Sequence, residues 1–408
     1  MYRFQLSMFL KRTCYLFCAL YIVFIPVQFN FFPYQQTISD GLFGNLIQLL
    51  ADIFSVELKN VSISSDSAST YILLFILLVI SLLFSVITEF SNRLKEKTES
   101  VHNILRTIFI YYLSLQLFKY GFDKVFKYQF YLPEPNILYT PVGNLSKDFL
   151  YWTSMGTSYW YSVFAGLIEI IPACLLLFKK TRVIGLLIST MVLINVIAIN
   201  IGFDISVKAH STFLFILTLL LLQPQFKQLY NLFILQQTGH ITTASYIQIH
   251  FNNPSIAPTL KTLLISLLLL ESLYPYATAR NFNDDTANRP YLHGAYQINE
   301  IVPISTDSLP PLALKRFFVH RSGYLIFQNK KDQMQDLKLS IDSVKKEFTV
   351  TDYHKNTVNL RYSYTSNDSL LNLQFFNGKN EYLLKTKALN WRKLPALQNN
   401  FHWSIDTY

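Results

Sequence analysis

Seven apolar runs fill most of the first 276 residues: 14–32, 71–90, 104–121, 159–178, 183–201, 209–223 and 260–276. A bilayer core is spanned by about 20 apolar residues in helical form. Within hydrocarbon every backbone N–H and C=O must be satisfied internally, so repeated runs of this kind can only form a bundle of helices. The sixth and seventh runs are the shortest of the set. Composition agrees: 15% of the 408 residues are charged, against about 25% in soluble domains.

Basic residues set the expected orientation. Arg3, Lys11 and Arg12 precede or open the first run, Arg93, Lys95 and Lys97 separate the second from the third, and Lys179, Lys180 and Arg182 separate the fourth from the fifth. The alternate loops hold Lys59, Lys208 and, in a longer segment, Lys124, Lys127 and Lys147. This bias places the N-terminus in the cytoplasm, and seven crossings then place everything after about 277 outside. The first run has a basic start like a signal peptide but no small-x-small cleavage site, so it reads as a retained transmembrane helix.

The tail changes period. "GAYQINEIV", "LKRFFVH", "GYLIFQ", "DLKLSI", "KEFTVTD", "TVNLRYSYT", "LLNLQFF" and "NEYLLKTKAL" alternate apolar and polar residues between turn residues such as Asn329–Asp332, Ser366–Asp368 and Asn377-Gly378. The pattern predicts an up-and-down antiparallel domain closed as a small barrel. Its interior either holds one apolar ligand or is filled by side chains.

The net charge of +10 lies in short clusters between apolar runs, with no basic stripe, and this excludes a nucleic-acid partner. Only Cys14, Cys18 and Cys174 are present, without a CxxC, so neither a dithiol redox centre nor a metal site is expected. His102 precedes the third run and His210 sits at the very start of the sixth, so no histidine lies well inside a run, which argues against haem held between spans.

An ionisable residue inside a span costs about 2.5–3.5 kcal/mol on insertion scales and normally faces the bundle interior with a partner. Glu169 sits near the middle of the fourth run, on a stripe with Ser162, Gly166 and Ala173 that permits close helix approach. Pro172 bends this helix. On the next run Gly185, Ser189 and Asn200 share a stripe, with Asn195 at its edge, and the third run brings Gln116, Lys119 and Lys124. Between the fifth and sixth runs "NIGFDISVK" (200–208) reads as an outer turn, with Gly202 permitting the bend and Asp204 and Lys208 at the interface. It is either a solvated loop with an ion pair or the polar mouth of a cavity whose floor includes Glu169.

The stretches "YGFDKVFKYQF" (120–130), "PVGNLSKDFLYWTSMGTSYWYSVFAGLIEIIPACLLLFKKTRVIGLL" (141–187) and "NIGFDISVKAHSTFLFILTLLLLQP" (200–224) together resemble the DoxX-like membrane proteins, in particular a longer branch common in Bacteroidetes. The tail's "GAYQINEIV" and "FHWSIDTY" also look like that branch. The resemblance implies a four-helix core with Lys124 at the end of its first helix and Glu169 in its second, plus two helices before the core and one after. It also implies association with redox and thiol-stress systems, since DoxX was named as a subunit of a thiosulfate:quinone oxidoreductase.

The expected fold class is thus a membrane α-helical bundle, a DoxX-like four-helix core plus flanking helices, with a C-terminal all-β antiparallel, barrel-like domain. Residues 1–103 would carry two helices and an outer loop, 104–224 the core, 225–290 a connector and the seventh helix, and 291–408 an extracytoplasmic β domain. The expected location is a bacterial cytoplasmic membrane. The expected function is binding of a quinone or lipid-like molecule by Glu169, Lys124, Asn195, Asn200, Asp204 and Lys208, beside a redox membrane partner and with no intrinsic cofactor. The alternatives are an oxidoreductase subunit that borrows its cofactor and uses Glu169 as proton carrier, a non-catalytic scaffold, or a lipid transporter.

Overall fold

The computed structural model describes residues 6–58, 60–237, 239, 246, 253–304, 313–365, 369–377, 380–398 and 401–404. The turns expected at Ser366–Asp368 and Gly378, and the terminal residues 405–408, lie outside these. The chain forms two compact units: Met1–Phe126 with Val163–Phe282, and Lys127–Ser162 with Asn283–Tyr408.

The first unit is helical. Its elements are α1 (Leu6–Phe24), α2 (Gln35–Ile53), α3 (Ala68–Phe90), α4 (Asn92–Val125), most of α7 (Tyr159–Leu176), α8 (Arg182–Gly202), α9 (Lys208–Leu222), α10 (Phe226–Phe233) and α11 (Ile256–Ala279). Among the described residues six segments are long and apolar enough to cross a membrane: α1, α3, α7, α8, α9 with α10, and α11 with the residues just after it. They mark the chain as a membrane protein.

The third run, inside α4, falls short of that apolarity, yet the geometry makes α4 cross wherever α3 does. Thr70 in the first turn of α3 and Asp123 in the last turn of α4 line the same cavity, while the opposite ends of the two helices are joined through Ser91 alone. The helix is polar because it is shielded. Phe109, Ile110, Leu113 and Leu117 are buried in the core it shares with α1, α3, α7, α8 and α9, so its polar groups meet other helices rather than lipid. Helix α2 was not among the seven runs.

The second unit holds α5 (Pro135–Leu138), α6 (Lys147–Gly156) and eight strands: β1 (Gly294–Pro303), β2 (Leu314–His320), β3 (Tyr324–Asn329), β4 (Met334–Asp342), β5 (Glu347–Thr351), β6 (Thr357–Thr365), β7 (Leu370–Asn377) and β8 (Asn380–Leu389). These are the eight alternating segments. Each pairs antiparallel with its sequence neighbour, and β1 pairs with β8 across a bulge at Ile298/Glu300, closing the barrel and leaving no edge. Every second residue points inward: Tyr296 and Ile298, Phe317 and Val319, Phe348 and Val350, Leu360 and Tyr362, Leu371 and Leu373 form one continuous cluster. Side chains therefore fill the interior.

The compact units divide the chain differently from the expected boundaries: residues 1–126 fall in one unit, and 283–290 join the barrel. Residues 127–162, placed above inside the membrane core, belong with the barrel. Ala295, Phe318 and Ile326 form a second apolar patch against Tyr139, Tyr324 and Met334. Arg316 lies 4.6 Å over the Tyr139 ring, and Gln328 donates to the Tyr139 carbonyl at 3.2 Å.

Candidate functional site: a polar cavity in the helical unit

Two glycines bring α4 and α7 into backbone contact. A Cβ on Gly166 would lie 2.5 Å from the Gly121 carbonyl oxygen, and one on Gly121 would lie 2.6 Å from Ile170. This approach seats Glu169 opposite Lys124, and their side chains form a buried ion pair of 2.8 Å. Ser114 donates to the Ala173 carbonyl one turn further along, at 2.9 Å. The Gly166–Glu169–Ala173 stripe thus faces α4, as its small residues indicate.

Beside this pair is a cavity of about 740 Å³. Its wall comes from four separate pieces of chain: the end of α1 with the following linker and the start of α2, the segment leading into α3 with its first turn, the last three turns of α4, and the start of α9. Tyr120, which lines it, also lies 5.7 Å from Lys124 Nζ in a cation–π contact. Glu169 and Lys124 are not among the lining residues.

The charged side chains of the wall are answered by the protein itself. Lys119 bonds to the Gln28 carbonyl and lies 3.5 Å from Glu271 of α11. Glu271 in turn accepts from the backbone N–H of Asn30 at 2.7 Å and of Phe31 at 3.2 Å. Asp123 accepts from the Tyr276 hydroxyl at 2.5 Å. Asp66 accepts from the N–H groups of Lys208 and Ala209, at 2.7 and 3.0 Å, where α9 begins; a helix N-terminus favours such a carboxylate.

Two polar atoms of cavity-lining residues are left over. The buried Gln116 Nε2 and His210 Nε2 have no hydrogen-bond partner. His210 Nδ1 lies 3.3 Å from the Tyr21 hydroxyl, and with Tyr21 donating, Nε2 carries the ring hydrogen. Both leftover groups are then neutral donors. Tyr21, Phe29, Phe32 and Tyr120 contribute aromatic rings to the same wall. The chemistry suits a neutral, largely apolar molecule with an oxygen acceptor and a flat ring.

The residues singled out from sequence are distributed as follows. Lys124 and Glu169 meet each other. Asn200 donates to Ser211 at 3.0 Å and is buried. Asp204 and Lys208 form an exposed pair of 2.8 Å, which is the plain ion-pair form of the 200–208 turn. The left-handed residue of that turn is Asp204, at φ 53°, rather than Gly202; Asp tolerates this region because its short side chain bonds locally. Asn195 is exposed on α8 and joins none of these groups. The structure therefore assembles a pair and a cavity beside it, not one six-residue site. Glu271 went unseen because it lies toward the end of the seventh run and its partners are backbone groups far away in sequence.

Taken together, the chain is a multi-helix membrane protein with a polar cavity among its helices and a closed eight-stranded barrel. No family model matches it, and neither does any solved structure. The uncharacterized protein YwoB of Bacillus subtilis (strain 168) is 34% identical over 125 residues, which are 30% of this chain and 79% of that protein. The chain belongs to the family of that Bacillus protein.

Proposed function

We propose that this protein binds a quinone, or a closely similar lipid-soluble carbonyl compound, in the cavity of its helical unit, as part of a redox-associated system of a bacterial cytoplasmic membrane. The observation that carries the reading is the pairing pattern of the wall. Every charge there is satisfied within the protein, while Gln116 Nε2 and His210 Nε2 remain as neutral donors among aromatic rings. Quinone carbonyls are acceptors on a flat apolar ring. The buried Lys124–Glu169 pair lies next to Tyr120 and agrees with the DoxX-like arrangement of a lysine ending one core helix and a carboxylate in the next. In this reading the N-terminus is cytoplasmic, seven helices cross, and the barrel is extracytoplasmic.

Solvent extraction of the protein purified in mild detergent, followed by mass spectrometry, tests the proposal. Near-stoichiometric quinone is expected. Retained phospholipid alone would assign the cavity to lipid handling, and an empty cavity in protein from quinone-replete cells would overturn the binding role. A C-terminal alkaline phosphatase fusion is expected to be active, and a green fluorescent protein fusion dark.

A further inference from the structure

Helix α2 divides its surface three ways. At 100° per residue, Ser39, Phe43, Ile47, Leu50 and Ala51 fall on one side and pack inward. Ser39 donates to the Phe24 carbonyl at 2.7 Å and Phe43 meets the Phe24 ring at 5.0 Å, which holds this side to the end of α1. Ile38, Leu42, Leu46, Leu49 and Ile53 occupy a second sector about 80° wide, and all five are exposed. Thr37, Gly41, Asn45, Gln48 and Asp52 make the third, also exposed and without an apolar side chain.

The helix does not cross the bundle. Gln35 and Gln36 at its start and Ile63–Asp66 after its end line the same cavity. The chain returns alongside the helix, with Gln36 donating to Ser62 at 3.1 Å and the Ile63 N–H donating to Asp40 at 3.0 Å. Several aromatic side chains are exposed around it: Phe31, Phe32 and Tyr34 in the linker from α1, Phe54 at the far end, and Tyr274 of α11 beside Phe31. Such residues concentrate at the level of lipid headgroups.

We infer that α2 lies in the plane of the membrane–water interface, with the Ile38–Leu42–Leu46–Leu49–Ile53 stripe sunk in acyl chains and the Thr37–Asn45–Gln48–Asp52 face in water. The occupant of the stripe is the bilayer that α1 and α3 already cross. A helix packed only on a water-exposed bundle would not carry a second apolar face, and a buried one would not carry a polar face. Interfacial helices show both. The placement is independent of what fills the cavity.

Spin labelling of the full chain in phosphatidylethanolamine–phosphatidylglycerol vesicles tests this. Cys14, Cys18 and Cys174 are replaced, and nitroxides are attached in turn at Leu42→Cys, Leu49→Cys, Asn45→Cys and Gln48→Cys. All four positions are exposed, so the label displaces no packed side chain. The ratio of oxygen to nickel-chelate collision rates is expected to favour oxygen at 42 and 49 and to invert at 45 and 48. Nickel access at 42 and 49 would place the stripe in water, exclusion of both reagents there would mean that protein covers it, and oxygen preference at all four would mean a fully sunken helix. Each of these three results overturns the inference.

Discussion

In the helical unit, Gln116 and His210 beside the cavity keep buried nitrogen atoms that nothing answers. In the barrel unit, the buried carboxylates Glu134 and Asp284 are each met by two or more partners, although Asp285 Oδ1 and Arg289 Nε nearby have no hydrogen-bond partner. Glu134 accepts from His293 at 2.8 Å and from Arg321, with His320 at 3.7 Å. Asp284 takes Arg321 at 2.8 Å and Arg289 at 2.9 Å. Arg321 further donates to the Leu132 carbonyl at 3.0 Å and lies 4.6 Å over the Tyr131 ring. Burial pushes the Glu134 carboxyl up, but the His293 hydrogen bond and the charges of Arg321, His293 and His320 outweigh it and hold it at about 2. Leaving a buried donor unmet costs stability; meeting a buried charge several times over makes it a staple. The contrast between the cavity wall and the Glu134–Arg321–Asp284 cluster separates a place where a ligand can be accommodated from a place where the chain is fastened to itself.

The largest expected effect is on the fastening. Arg321→Leu strands Glu134 and Asp284 and should cost the barrel unit about 3–5 kcal/mol, as breaking a buried ion pair does. All four tryptophans, Trp152, Trp160, Trp391 and Trp403, belong to this unit, so the loss should appear as an earlier thermal transition in tryptophan emission. Glu169→Leu is the matching change among the helices. It removes the carboxylate opposite Lys124 and should lower membrane-embedded yield while leaving the tryptophan transition in place. A shift of that transition by Glu169→Leu, or none by Arg321→Leu, would break the comparison.

Acid should separate the units next. A carboxyl whose folded pKa is depressed stabilises the fold above its unfolded value and loses that contribution as pH falls through the folded one. For Glu134 the window runs from about 4.3 down to about 2. The contribution at neutral pH is about 3 kcal/mol. The tryptophan transition of the wild type should fall steeply across that window, and in Glu134→Gln it should depend much less on pH there.

The smallest effect belongs to the cavity. Gln116→Leu deletes an unanswered donor, so thermal stability should hold or rise. If the donor meets a ligand carbonyl, binding should weaken by about 0.5–1.5 kcal/mol, or about 2- to 12-fold, as judged by ligand content. Unchanged ligand content with Gln116→Leu and with His210→Phe would remove both donors from the binding account.

The barrel was legible strand by strand because period-2 alternation and turn residues are local signals, and all eight segments recur as β1–β8. Six of the seven runs were legible from run length as segments apolar enough to cross a membrane. The approach of Glu169 to a neighbouring helix was legible from a mid-run carboxylate on a small-residue stripe; that its partner is Lys124 was not contained in the stripe. Helix α2 was not, because its apolar residues are shared between two faces and interrupted by polar ones, leaving no continuous run. The cavity was not legible either. Its wall is drawn from around Tyr21–Gln36, Ile63–Thr70, Gln116–Asp123 and Val207–His210, and no local periodicity records which of these pieces meet. The same holds for 127–162, whose membership of the barrel unit depends on contacts such as Glu134–Arg321 across 187 positions.

That separation has a consequence in time. At about 5–20 residues per second of synthesis, Glu134 leaves the ribosome about 10–40 s before Arg321 does. The segment 127–162 is therefore made, and its flanking helices can enter the bilayer, long before the strands that will cover it exist. Assembly of the second unit becomes the closing event of the molecule's production. A chain halted before β2 would carry the whole helical bundle together with an aromatic-rich loop whose Glu134 still waits for its arginine.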